Sequence, residues 1–247
     1  MRGQQVARAW HIMAKDMRTY YLKPPIVSWG LLLPAVLILA FYLRDPSDIR
    51  SVAPGLVGMT VLFGATSVEA VVIAFEKRIG AMERLLGAPV SVGALLGGKA
   101  ASGALFGAAT GALVWLASSL AWALPLAGGL PLLAILLGSA AFSLLGVLVS
   151  LVMREVFDAM TLANFFRFPM IFLGGVFLPV AAMAPPLRAA ASLLPLTYTV
   201  DALRHLMLGG IGAAFSLGVD LAVSAAFVVA LYLGARLLME SRLEELI

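Results

Sequence analysis

The chain has no cysteine, only two histidines and little charge: 12% of its 247 residues are Asp, Glu, Lys or Arg. Without thiols there is no disulfide framework and no thiolate chemistry. The shortage of charge is more telling, because ordinary soluble domains carry about 25% charged residues. With 62% apolar residues, the composition is that of a membrane protein. No HExxH, CxxC or GxxxxGK[ST] occurs, so there is no zinc-hydrolase signature and no phosphate loop for binding or hydrolysing ATP. Asp201 and Asp220 lack the motif of an intramembrane protease. The net charge of +4 reflects topology rather than nucleic-acid binding.

About 20 apolar residues cross the hydrocarbon core. Six candidate spans satisfy this: 25–43, 54–75, 100–122, 130–153, 168–184 and 213–237. The expected fold is an all-α polytopic membrane protein forming one domain over 1–247. The region 185–212 is moderately apolar but interrupted by Pro195, Asp201 and Arg204, which suggests an outer segment that dips in and returns. With both termini cytoplasmic, thirteen Lys and Arg fall on the inner side and four on the outer side, as the positive-inside rule requires. This count places Lys99 and Arg167 in cytoplasmic connections. It puts His11 and His205 on opposite faces, where they cannot share a metal.

In residues 4–23, Val6, Trp10, Met13, Met17 and Tyr20 recur at helical spacing, with Arg8, His11, Lys15 and Arg18 on the other side. This suits a helix lying in the membrane interface, against the alternative of a soluble tail. Gly103, Gly107 and Gly111 recur every fourth residue in the third span, a packing surface for a helix of this chain or of a second copy. Glu69 lies in the second span, where a central acid costs about 2–3 kcal/mol. It is either an ion- or substrate-contacting carboxylate or a group bonded to Thr66, Ser67 or a neighbouring helix. Asp220 is similarly ambiguous. In NFFRFPMIFLGGVFLP, residues 164–179, the aromatics either flank a substrate path or form a lipid-facing or core stripe, and Gly174-Gly175 permits a bend.

The insert 76–99, EKRIGAMERLLGAPVSVGALLGGK, is too elaborate to be only a turn. Ile79, Met82 and Leu86 share a helical face, and Gly87 and Pro89 end the helix. Two turns alone are marginal in water, so this helix must pack on the bundle or in a partner's groove.

The segment EKRIGAMERLLGAPVS, 76–91, resembles the cytoplasmic segment of ABC-2 type transporter permeases, the membrane subunits of many ABC exporters. FRFPMIFLGGVFLPVAAM, 166–183, resembles that family's fifth-span region, and PLTYTVDALR, 195–204, the segment preceding its last span. The three occur in the family's order. The resemblance implies six spans, an interfacial amino-terminal helix, a coupling helix between spans two and three, and re-entrant elements before span six. It implies a dimer of permeases, the second copy taken as identical, working with a separate ATPase subunit that carries ATP and Mg. This chain itself then has no catalytic, cofactor or metal site. By the same resemblance Glu76, Gly80, Glu83, Arg84 and Pro89 would couple to the ATPase. Pro195, Tyr198, Asp201 and Arg204 would shape the outer turn. Glu69, Met170 and Phe172 are candidate path residues. The short first outer loop, 44–53, is similar to that of compact drug, lipid and polysaccharide exporters. The competing readings are an ATPase-independent carrier or channel, and a membrane assembly protein without cargo.

Overall fold

A computed structural model describes residues 2–44, 49–153 and 155–244. Among them all regular structure is helical. Helix α1 (Arg2–Asp16) continues into a π-helical turn, Met17–Tyr21, and α2 follows over Pro24–Arg44. Next come α3 (Ile49–Arg78), the short α4 (Ala81–Leu86), α5 (Val92–Trp122), α6 (Leu130–Val152) and α7 (Val156–Leu173). Two shorter helices, α8 (Pro185–Ala191) and α9 (Pro195–Leu208), lead to α10 (Leu217–Glu244). Five described helices are long and apolar enough to cross a membrane: α3, α5, α6, α7 and the Leu217–Ser241 part of α10. Helix α2 covers the first expected span, its portion Pro34–Leu43 being a shorter apolar helix. The chain is thus a multi-pass membrane protein.

Helix α3 is the axis of the bundle. It packs against α5, α6, α7, α9 and α2 and is buried along most of its length. At 1.5 Å per residue its 30 residues span about 45 Å, longer than a hydrocarbon core of roughly 30 Å. Its charged residues Glu76, Lys77 and Arg78 are gathered at its last turn. The glycine stripe of α5 faces this axis, so it packs within the chain. A Cβ on Gly107 would lie 2.8 Å from the Cβ and 2.9 Å from the amide nitrogen of Ala65. On Gly103 it would meet Ser143 Oγ at 2.4 Å and Glu69 Cγ at 2.7 Å. The stripe lets the α3 and α5 backbones come into near contact, which supplies the van der Waals cohesion that lipid-solvated helices depend on.

The fifth span is not at 168–184. Helix α7 begins at Val156 and stops at Leu173, because Gly175 adopts φ +81° and the chain turns away into a 3-10 turn over Val180–Ala182. Arg167, expected at the membrane boundary, instead lies within α7 and is only 6% exposed. It is accommodated by hydrogen bonds from Nε to Thr66 Oγ1 at 2.6 Å and from Nη1 to Asn164 Oδ1 at 3.0 Å. Lys99 is likewise within a helix, because α5 starts two turns earlier than expected. Its start is capped by Ser91 Oγ, which accepts from Ala94 N at 3.2 Å.

Region 185–212 contains α8 and α9, and α9 is buried against α3, α6 and α10. Pro195 begins α9 and is buried, as are Tyr198, Asp201 and Arg204.

Gly107→Val should destabilise the fold by about 1–3 kcal/mol, because the Ala65 backbone cannot yield to the added atoms. Gly97→Ala, where nothing among the described residues lies within 4 Å of the added carbon, should be neutral or slightly stabilising. Thermal unfolding of both variants in detergent checks the pair.

Candidate functional site

The end of the bundle that carries α4 is organised around four charged side chains. Lys15 and Asp16 come from the last turn of α1, Glu76 from the last turns of α3, and Lys99 from the second turn of α5. They close a ring. Lys15 Nζ lies 2.6 Å from both Asp16 Oδ1 and Glu76 Oε1. Lys99 Nζ lies 3.2 Å from Asp16 Oδ2 and 2.5 Å from Glu76 Oε2. Asp16 and Lys99 have no exposed side-chain surface and Glu76 has almost none, whereas Lys15 reaches water. Two cations and two anions cancel, which is the condition under which charge survives burial. Burial opposes the Lys15 charge, but the Asp16 and Glu76 carboxylates outweigh it and raise the ammonium above its ordinary range. Tyr20, which donates to Glu76 Oε1 at 3.3 Å, is pushed up to about 12 by burial and by the Glu76 charge.

A second polar layer lies deeper in the bundle. Glu69 Oε1 accepts from Tyr21 Oη at 2.9 Å and from Ser102 Oγ at 3.1 Å. The π-helical turn is what aims Tyr21 inward, where it is fully buried against Phe106. A neighbouring helix is therefore the partner of Glu69. On the other flank of α3, Lys77 Nζ donates to the Ser150 and Leu151 carbonyls at 3.0 and 3.1 Å, the negative end of α6. Ala74 N donates to Ser150 Oγ at 2.9 Å. The end of α3 is thus clamped to α1 and α5 on one side and to α6 on the other.

The segment expected to couple to a partner grows directly from this clamp. Gly80, at φ +67°, makes the corner between α3 and α4, a conformation that favours glycine. The corner splits the expected apolar face: Ile79 points outward at 48% exposure, while Met82 is buried against the core of α1, α3, α5 and α6. Arg84 and Pro89 are exposed. The side chains of Glu83 and Leu86 lie outside the described residues. Glu76 does not belong to the outward set, since the ion ring turns it into the bundle. Helix α1 also grips the far side of the segment. Arg8 Nη1 and Gln5 Nε2 both donate to the Pro89 carbonyl, and Ser91 N donates to Gln5 Oε1 at 3.0 Å. Its residues Val6 and Trp10 are left exposed, with Ile12 and Asp16 facing the bundle. Sequence reasoning missed Gln5, Asp16 and Lys99. Asp16 had a signal, as the one acid among the cations of α1.

Along α3, a groove of about 760 Å³ opens between α2, α3, the π-helical turn and the start of α7. Its walls are apolar, Phe63, Val71, Phe75 and Met160 among them, and Thr19, Tyr20 and Lys23 stand at its α1 end. None of the three expected path residues lines it. Glu69 points to the opposite side of α3, Met170 packs in the core, and Phe172 is exposed beside Phe177, ring centroids 6.1 Å apart. Phe157, Phe165, Phe168 and Phe172 form an uncovered stripe on α7.

At the opposite end the outer motif holds the connections together. Arg204 donates from Nη1 to the Ser51 carbonyl at 3.1 Å and from Nη2 to the Gly175 carbonyl at 2.9 Å, joining the start of α3 to the turn after α7. Tyr198 Oη donates to the Ser192 carbonyl at 2.7 Å. Asp201 accepts from the amides of Ala214 and Phe215 at 2.8–3.0 Å.

A family model described as "ABC-2 type transporter" matches residues 7–208 of the chain. No curated protein matches it.

Lys99→Met should cost about 3–5 kcal/mol, because it leaves Asp16 and Glu76 sharing one ammonium in a buried site. Adding Asp16→Asn restores neutrality and should recover part of that loss. Thermal unfolding and the protease sensitivity of α1 are the measurements, and an unchanged melt for Lys99→Met would remove the ring from its structural role.

Proposed function

Since the chain belongs to the ABC-2 type transporter family, we propose that it is the permease subunit of an ATP-driven exporter. Two copies bind a separate ATPase subunit at α4. In this reading α2 is the first of six spans, both termini are cytoplasmic in the cell membrane, and α8–α9 form the re-entrant outer element. ATP and Mg belong to the partner, as no phosphate loop is present in this sequence.

The α3–α4 corner carries the proposal. Ile79 in the corner and Arg84 on the six-residue helix α4 are exposed. That helix cannot be displaced without moving α3, because Met82 and the partly buried Leu85 are packed in the core. A partner seated on α4 would push a stiff element rather than a loop. ATP-driven approach of two ATPase subunits then translates into relative movement of two α3-centred bodies. The energy difference between the two arrangements comes from nucleotide binding to the partner.

The cargo class that fits the groove is amphipathic, a drug, lipid or glycan-linked lipid, with apolar surface against Phe63 and Phe75 and a polar or anionic part near Thr19, Tyr20 and Lys23. The exposed aromatic stripe of α7 offers a surface for the second copy, which would place the two grooves near a shared interface.

Co-purification with an ATPase carrying GxxxxGK[ST], followed by transport and hydrolysis assays in liposomes over a cargo panel, tests this function. Ile79→Asp and Arg84→Glu should each lower transport at least about tenfold, as expected when more than 1.4 kcal/mol of productive coupling is lost. Their thermal unfolding should be unchanged, since both side chains face outward. Transport that continues without the ATPase and follows an ion gradient would overturn the proposal.

A further inference from the structure

Far from α4, three side chains able to ligate a metal converge at the other end of the bundle. Asp201 and His205 are one turn apart on α9 and share a face. Asp220 comes from the first turn of α10. One ligand atom from each residue lies within 4.8 Å of the other two, and His205 Nε2 is 4.0 Å from Asp220 Oδ2. The carbonyl oxygen of Phe215 is 2.6 Å from the same ring nitrogen. The backbone amides that bond Asp201 occupy only part of its carboxylate, since an ionised carboxylate offers about four acceptor positions.

Asp220 is the independent observation. Its side chain has no exposed surface, and among the described residues neither carboxylate oxygen has a hydrogen-bond partner. A buried carboxylate in this condition is costly unless it is paired or ligates a metal. Arg204 does not serve it, because that guanidinium is directed at Ser51 and Gly175.

We propose that Asp201, His205 and Asp220 bind one divalent ion of the zinc class, with the Phe215 carbonyl as a fourth donor. The ion fastens α9 to the start of α10. The imidazole binds in its neutral form through Nε2, with the ring proton on Nδ1, so the present contact of Nε2 with Phe215 gives way to a bond from each to the metal. Bonds of about 2.0–2.1 Å in a tetrahedral site place ligand atoms roughly 3.3 Å apart. The 4.0 Å separation therefore closes by less than about 1 Å. One imidazole with three oxygens suits zinc. Calcium takes six to eight oxygen ligands, more than this cluster supplies. His205 is one-quarter exposed, which leaves the ion a route in.

The test uses the full chain purified without a histidine tag, treated with chelator and titrated with Zn²⁺, and with Ca²⁺ as control. The expected result is one zinc per chain by elemental analysis after gel filtration and a thermal midpoint raised by several degrees. Asp220→Asn and His205→Gln should each weaken zinc binding at least tenfold and abolish the shift. Metal-free Asp220→Asn should melt at or above the unsubstituted chain, because it removes a buried charge, and this separates lost binding from lost folding. Absence of stoichiometric zinc overturns the proposal. So does zinc binding that survives both substitutions, which would place the ion elsewhere, for instance at His11. A midpoint shift with Ca²⁺ that Asp220→Asn removes overturns the assignment to zinc.

Discussion

The ion ring of Lys15, Asp16, Glu76 and Lys99 is the constraint on which the rest of this architecture depends. Four charges are held at one site, three of them sealed from water. In such a site removing one partner is far more damaging than the intact set is stabilising. The ring therefore acts as a registration device: α1, α3 and α5 have one relative placement in which all four charges are matched. Everything nearby takes its position from that placement. Tyr21 reaches Glu69, Arg8 and Gln5 reach Pro89, and the glycine stripe of α5 lies against α3. Helix α1 is consequently a structural member of the bundle as well as a carrier of the exposed Val6 and Trp10.

Packing and electrostatics reinforce each other along α3. Close backbone approach at Gly103 and Gly107 brings Ser102 within hydrogen-bond range of Glu69, and Glu69 in turn abuts Gly103 and Gly146. Polar groups buried at this depth are tolerable only when the helices cannot drift apart, and the small residues are what keep them together. The same logic accommodates Arg167. Its partner Thr66 sits on the buried α3, and the Phe63 ring lies 5.5 Å from the guanidinium carbon.

What could be read from the sequence follows the range of the interaction that decides each feature. Long apolar runs made α3, α5, α6 and α10 legible. Gly87 and Pro89 located the end of α4, while the Gly80 corner that begins it was not read from the sequence. The fifth span was displaced because Arg167 looked like a boundary and MIFLGGVFL like a core. The partner that excuses Arg167 is 101 residues away, and the Gly175 turn outweighs local apolarity. The family motif names Glu76 as a residue turned toward the ATPase, whereas the structure turns its side chain into the bundle. Its partners come from α1 and α5, and no pattern within 76–91 encodes them. The outer motif was legible as a set of residues, while its bonds to Ser51, Gly175 and the Ala214–Phe215 amides depend on tertiary contacts.

These constraints also decide where movement can occur. The end of the bundle near α4 is locked by charge, and the opposite end is tied by Arg204 and Asp201 to three different connections. Neither can deform without exposing unpaired buried groups. Between them, α2 meets α3 across an apolar groove whose walls make no such demands, whereas α7 is tied to α3 by the buried bond from Arg167 Nε to Thr66 Oγ1. Apolar surfaces slide at low cost in lipid, because lipid tails solvate them as well as side chains do. Of the helices packed on α3, α2 is therefore the one whose displacement costs least, while α3, α5, α6 and α7 are held to one another by buried polar bonds or close backbone contact. Such a displacement of α2 would change the width of the groove and leave both polar ends intact.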